Sequence, residues 1–323
     1  MEYKRSEAKE WARRFYRGLG STILPSFTSD ELTLDEKGVR HDIRELIKHG
    51  FFSTAYVTEA GTTKEEDKLV IQWCVDEAKG KIGITPALRY YTLKDNIEMA
   101  KFAEETGCDS VLLSYPPNFR PKTPQEVLEY SLAIIRSTNI AVELFPSIKY
   151  DFPFPGIIPA PVLDKMADEE NVVAMKIGLL DWTWIDECFR LFGNKIFISY
   201  PFDDAWPMFI RHYGMQWSGA APWQIFQTPD DPREVRLFNL IQEGKMNEAV
   251  ELYHKNDPLR MSIMQFTMSI ANTGVYNFRQ WKWGEELVGM TGGELRMPNL
   301  ELFTRDREML RQAALACGLK IVK

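Results

Sequence analysis

Val172-Val173-Ala174-Met175-Lys176-Ile177-Gly178 is an apolar run of strand length that carries one charge. Apolar side chains on both faces mark a strand inside a parallel sheet covered by helices, and period-two alternation alone does not describe it. Alternation puts Val172, Ala174 and Lys176 on one face and Val173, Met175 and Ile177 on the other. An ammonium is costly in such a place, and burial shifts lysine toward the neutral amine. A neutral amine attacks carbonyls to form a Schiff base. Two blander readings stand beside this one: a strand-end lysine that snorkels to water, and a lysine paired with a carboxylate.

Similar runs recur along the chain. Strands are expected at 19–27, 53–60, 82–90, 110–115, 140–145, 172–177, 195–200 and 215–221, with helical segments near 36–49, 64–79, 93–106, 124–137, 160–168, 182–192 and 204–212. Thr123-Pro124 with Glu126 has the form of a capping box with proline at the first helical position. Gly50, Gly80, Gly107 and Gly193 stand where helices end. Eight strands alternating with helices predict an α/β fold of the (β/α)8 TIM-barrel type. A doubly wound sheet is the alternative, but no GxGxxG follows the first strand. Past 230 the pattern turns helical, with segments at 232–243, 246–273, 278–287 and 305–317. The expected organisation is an N-terminal helical segment at 1–17, a barrel at 18–229 and a C-terminal helical extension at 230–323. Phe152 to Pro161 is proline-rich and apolar, and reads as an ordered loop over the barrel mouth.

Composition narrows the class of partner. The 323 residues are 45% hydrophobic with a net charge of -7 and interspersed signs, so small molecules are expected as partners and nucleic acid is not. The basic residues of the first helix alternate with Glu2, Glu7 and Glu10 and read as a solvated face. Cys74, Cys108, Cys188 and Cys317 are widely spaced, which fits buried thiols in a reducing, cytoplasmic setting. No apolar run reaches membrane-spanning length, and no HxH or HExxH points to a metal.

Barrels place reacting groups at the C-terminal ends of strands. Those ends supply Gly61-Thr62-Thr63 after strand two, Tyr115 after strand four, Glu143 and Phe145 on strand five, Lys176 on strand six and Gly219 after strand eight. Gly61-Thr62-Thr63 precedes a helix, and amides at a helix N-terminus bind anions. The plainer role for either threonine is to cap that helix. A lysine that takes a ketone and amides that hold the adjacent carboxylate would together recognise a 2-oxo acid such as pyruvate. Trp217 and Trp223 could wall an aromatic pocket or belong to the core.

Gly61-Thr62-Thr63, the strand lysine and the stretch WKWGEELVGMTGGELRMPNLEL (Trp281–Leu302) resemble the dihydrodipicolinate synthase / N-acetylneuraminate lyase family over nearly the whole chain. FPSIKYDFPFP (Phe145–Pro155) resembles its hydratase-aldolase branch. The resemblance implies a barrel with C-terminal helices, a homotetramer or homodimer, and a cofactor-free class I aldolase mechanism. In it Lys176 forms the imine, and Thr62 and Thr63 bind the pyruvate carboxylate. The chain departs from the pattern at Phe145, which stands where the family has a proton-relaying tyrosine. Lys149 or Tyr150 lies nearest the place of an arginine that grips a second carboxylate, and Lys64 follows the threonines in place of glycine. These departures argue against authentic dihydrodipicolinate synthase activity. They leave Tyr115, then Glu143, to move protons. The expected function is a Schiff-base lyase or aldolase of 2-oxo acids. The rivals are an imine-dependent hydratase and a barrel that only binds its ligand.

Overall fold

The computed structural model describes residues 3–29, 31–147, 156–219, 221–263, 277–297, 299 and 301–323. Eight strands are found at the eight expected places: β1 (Gly18–Ile23), β2 (Ser53–Tyr56), β3 (Gly83–Leu88), β4 (Ser110–Leu113), β5 (Ala141–Leu144), β6 (Val172–Lys176), β7 (Phe197–Ser199) and β8 (Trp217–Ser218). They are hydrogen-bonded in the order β7-β6-β5-β4-β3-β2-β1-β8, the cyclic order of a (β/α)8 barrel read from a seam beside β7. Each strand is shorter than its apolar run. Backbone hydrogen bonds still run just past the ladders, from Ser114 N–H to the Leu88 carbonyl, Phe145 N–H to Leu113 and Ile177 N–H to Ser199.

The chain divides into two compact units, Met1–Gly18 with Gly83–Gly219, and Leu19–Ile82 with Ala220–Lys323. In the first unit β3 to β7 pair in parallel register, and the helices Leu93–Thr106, Pro124–Ile135, Ala160–Ala167, Trp182–Phe192 and Trp206–Tyr213 alternate with strands β3 to β8. The Thr123 capping box forms as read, with Thr123 Oγ1 accepting from the Glu126 amide. Gly107 closes its helix in the left-handed region at φ 90°, whereas Gly193 ends its helix right-handed at φ -64°. The first helix, Ala8–Phe15, is not merely a solvated face. Trp11 and Ala12 are buried, and Arg5 donates to the carbonyls of Ile135 and Thr138. Trp217 packs edge-on against Tyr16 at 4.8 Å and is core, not pocket wall.

In the second unit β1 and β2 pair in parallel, Gly20 with Ser53 through Ile23 with Tyr56. The expected single helix from 246 to 273 is interrupted. Met246–Lys255 ends at Asn256, whose buried amide donates to Glu234 and to the Phe226 carbonyl. An Asn side chain satisfied by tertiary partners has overridden helical periodicity there. The methionines expected at 264 and 268 lie outside the described residues. All four cysteines are free and buried. Among the described residues no helix is long and apolar enough to cross a membrane.

One cluster in the core of this unit joins two acids and a lysine, each no more than 1% exposed: Asp42, Glu285 and Lys282. Lys282 Nζ lies 3.6 Å from Glu285 Oε2 and donates to Ser26 Oγ, which donates in turn to Asp42. Thr291 N–H donates to Asp42 and Gln224 donates to Glu285. Two carboxylates against one ammonium leave a surplus negative charge in a dry place. Burial therefore raises Glu285 to about 7 against the pull of Lys282, and raises Asp42 as well. The folded state then holds a proton that the unfolded state releases near 4.5. Stability should fall as pH rises from about 4.5 to 7, with a slope approaching about 1.4 kcal/mol per pH unit per proton. Urea titrations from pH 5 to 8 check this, and Glu285→Gln should flatten the dependence.

Candidate active site

Strand register assembles the site in the first unit. Across β5 and β6, Glu143 pairs with Ala174 and Leu144 with Met175, which sets Phe145 beside Lys176 on the same face. Across β6 and β7, Lys176 pairs with Ser199. The Lys176 amine sits 4.4 Å from the centroid of the Phe145 ring. Phe145 packs with Ala87 and Leu112 in a buried apolar cluster, and Leu112 is the β4 partner of Glu143. Lys176 keeps some exposure while the four residues before it are buried. The arrangement is a dry sheet face with one amine at its accessible end.

Glu143 is the group that sequence alone could not orient. It faces the same side as Phe145 and Lys176, is 5% exposed, and interacts electrostatically with the lysine. Burial lowers Lys176 to about 8, opposed by the Glu143 charge; burial raises Glu143 to about 8, opposed by the Lys176 charge. Burial thus presses both groups toward their neutral forms while each partner's charge opposes it. The carboxylate-paired reading of Lys176 and the nucleophile reading thus meet in one pair. Ala174, between Lys176 and the strand's lower end, contributes only a methyl opposite Glu143, which leaves the lysine stem room on that face.

Gly219 keeps that room open on the other side. A Cβ there would lie 2.9 Å from Lys176 Cγ and 2.9 Å from Ser199 Oγ. Its amide donates to Ser199 Oγ at 3.0 Å. Gly178 plays a similar part, since a Cβ would meet Ser147 Cα at 2.6 Å.

Tyr115 is turned away from this face. Its hydroxyl pairs with Ser131 Oγ at 2.8 Å on the helix Pro124–Ile135, its ring stacks on Phe119, and burial raises its pKa. Parity explains the direction. Leu112 belongs to the Phe145 cluster, so Ser114 continues that face and Tyr115 lies opposite. Ser114 is 2% exposed, and its hydroxyl has no hydrogen-bond partner among the described residues. Neither Ser114 nor Ser199 was singled out from sequence; their signal was only their place at strand ends, once the inward parity is known. Lys149 and Tyr150 lie outside the described residues.

In the second unit Gly61-Thr62-Thr63 forms a turn into the helix Lys64–Ala78, with Gly61 at φ 99°. Thr63 is the N-cap: its hydroxyl accepts from the Glu66 amide and donates to the Glu66 carboxylate, which also takes the Thr63 N–H at 2.9 Å. Thr62 Oγ1 donates to Asp67 at 2.5 Å, and Tyr56 donates to the same oxygen at 2.6 Å. The capping reading of Thr63 is realised, and Thr62 is held by a buried acid five residues on.

The dihydrodipicolinate synthetase family model matches residues 16–316. A 4-hydroxy-tetrahydrodipicolinate synthase of Bradyrhizobium diazoefficiens is 28% identical over 318 residues, covering 95% of this chain and 99% of its own. An N-acetylneuraminate lyase of Clostridium perfringens is 24% identical over 306 residues, with 92% and 97% covered. Among solved structures, dihydrodipicolinate synthase from Aquifex aeolicus superposes with a TM-score of 0.81 at 19% identity over 95% of this chain and 100% of its own. N-acetylneuraminate lyase from Fusobacterium nucleatum gives 0.78 at 19% identity, with the same coverage. Both share the barrel with this chain.

Gly219→Ala should displace the Lys176 stem and cut its reactivity toward ketones by a factor on the order of 10² without unfolding the chain. Borohydride trapping rates alongside circular dichroism check this.

Proposed function

We propose that this chain, which belongs to the dihydrodipicolinate synthetase family and is a class I lyase of the aldolase type, makes or breaks a carbon–carbon bond next to a 2-oxo acid through an imine on Lys176. The single observation that carries the reading is the lysine amine at the end of a dry strand, 4.4 Å from the Phe145 ring and beside Glu143, its proton affinity lowered by burial.

The Glu143 carboxylate takes the proton of Lys176, freeing the nitrogen lone pair. The amine adds to the ketone carbon. Glu143 returns the proton to the new alkoxide and then moves the second nitrogen proton to that hydroxyl, which leaves as water. The resulting iminium accepts the electron pair of the carbon–carbon bond as the substrate hydroxyl gives its proton to Glu143 and its carbon departs as an aldehyde. Glu143 returns that proton to the enamine carbon, and water hydrolyses the iminium to restore the lysine. Glu143 thereby fills the role left vacant at Phe145, whose ring can neither give nor take a proton. As the family resemblance implies, the Gly61-Thr62-Thr63 turn receives the carboxylate. With the Thr63 donors taken by Glu66, the backbone N–H groups of Gly61 and Thr62 are the donors the turn offers.

The remaining parts of the reading rest on the resemblance and on charge pattern. They are a barrel at 18–229 between a segment at 1–17 and a helical extension at 230–323, assembly as a homotetramer or homodimer, a cytoplasmic location, and small-molecule partners without nucleic acid or membrane. One observation favours a barrel that only binds its ligand: the hydroxyl-free ring of Phe145 against the amine.

Incubation with pyruvate followed by borohydride should leave a reduced adduct on Lys176, located by mass spectrometry. Lys176→Ala should abolish both adduct and turnover while the fold persists; full activity in that variant overturns the assignment. An adduct without aldehyde release from aldol-type substrates supports the hydratase or the binder.

Glu143 raises the lysine's proton affinity by its charge, so Glu143→Gln should move the pH dependence of trapping to lower pH. If Glu143 carries the protons, turnover should also fall by roughly 10²- to 10⁴-fold. Stopped-flow pH profiles of both proteins check the direction.

A further inference from the structure

Arg296 stands in the glycine-flanked stretch near the C-terminus that the sequence comparison singled out, and it holds the second unit's turn from several sides. Its Nη1 donates to both carboxylate oxygens of Glu66, at 2.9 and 2.8 Å, and to the Gly61 carbonyl at 3.3 Å. Its Nε donates to the Leu32 carbonyl at 2.8 Å, and its guanidinium lies over the Phe27 ring at 4.5 Å. The residue before it, Leu295, packs in one buried cluster with Leu24, Phe27, Phe278 and Ala60, the residue before Gly61. The contact leaves no slack: a Cβ on Gly61 would meet Arg296 Cβ at 3.1 Å, and Gly61 already needs its left-handed φ of 99°.

Glu66 is what joins this grip to the turn. The same carboxylate that accepts from Arg296 accepts from Thr63 N–H and Thr63 Oγ1. Arg296 therefore fixes the turn at its first carbonyl and, through Glu66, at its last residue. A guanidinium suits this because its planar fork serves a carboxylate and carbonyls at once, which an ammonium does not.

We infer that Arg296 is a positioning residue for the Gly61-Thr62-Thr63 turn, setting the direction of its backbone N–H groups and so the enzyme's preference for a substrate bearing a carboxylate next to the ketone. The inference rests on the assignment of that turn to the substrate carboxylate. Arg296 touches no reacting atom, so its loss should act on binding of the acid group and not on the imine chemistry.

The test compares borohydride trapping of pyruvate with that of pyruvamide, its uncharged counterpart, in the wild type, Arg296→Ala, Arg296→Lys and Glu66→Gln. In the wild type pyruvate should half-saturate at much lower concentration than pyruvamide. In Arg296→Ala the half-saturating pyruvate concentration should rise at least tenfold while the maximal trapping rate changes less than threefold, and the preference over pyruvamide should shrink to the same degree. Glu66→Gln should show the same split to a smaller extent, and Arg296→Lys should not restore the wild-type preference. A variant with unchanged half-saturation and preference overturns the inference. So does an equal loss toward both ketones, which marks a general structural role. If Arg296→Ala does not fold, the Arg296→Lys and Glu66→Gln comparisons decide the matter by the same criteria. A wild type that traps pyruvate on Lys176 without preferring it to pyruvamide removes the carboxylate assignment, and a wild type that traps neither removes the imine reading.

Discussion

A lysine and a glutamate share one dry sheet face, and their opposed responses to burial govern what that face can do. Burial drives protons onto the acid and off the amine, while each partner's charge pulls the other way. The two effects oppose one another at both groups, so each is held nearer its neutral form than it would be in water. The neighbours maintain the balance. Ala87, Leu112 and Phe145 keep the surroundings apolar. Ala174 and Gly219 leave the lysine stem its path. A polar or bulkier residue at any of these places would settle the proton on one partner or push the amine aside.

Phe145 puts an apolar ring beside the lysine where a hydroxyl would be needed to relay a proton. A ring without a hydroxyl relays nothing, yet its face lies 4.4 Å from the amine and helps to desolvate it. Under the proposed imine chemistry, proton transfer falls to Glu143 on the same face, two residues earlier on the strand. The strand's period of two makes that exchange possible, because positions 143 and 145 necessarily project to the same side.

The turn at 61–63 answers to a different constraint. Its polar groups are largely occupied within its own unit: Thr63 by Glu66, Thr62 by Asp67, and the Gly61 carbonyl by Arg296. Such a turn is held in one conformation before any ligand arrives. Preorganised donors lose little freedom on binding, which is how a short loop gains selectivity without added contacts.

Much of this was legible in the chain. Apolar runs of strand length, separated by helical segments with Thr-Pro starts and glycine ends, determined eight strands and their barrel order, because burial on both faces and helix capping are local demands. Lys176 was legible for the same reason: a charge inside such a run is anomalous in sequence as well as in space. Direction was not. Whether Tyr115 or Ser114 faces inward depends on the parity of β4 against β5, which hydrogen-bond register sets and no single strand records. The break at Asn256 was hidden because its partners, Glu234 and Phe226, lie 22 and 30 residues away. Glu143 was a candidate from sequence, but its pairing with Lys176 was decided only when β5 and β6 aligned and removed both from water. Composition and periodicity act within a segment, whereas the proton affinities of two groups depend on what the fold brings between them and the solvent.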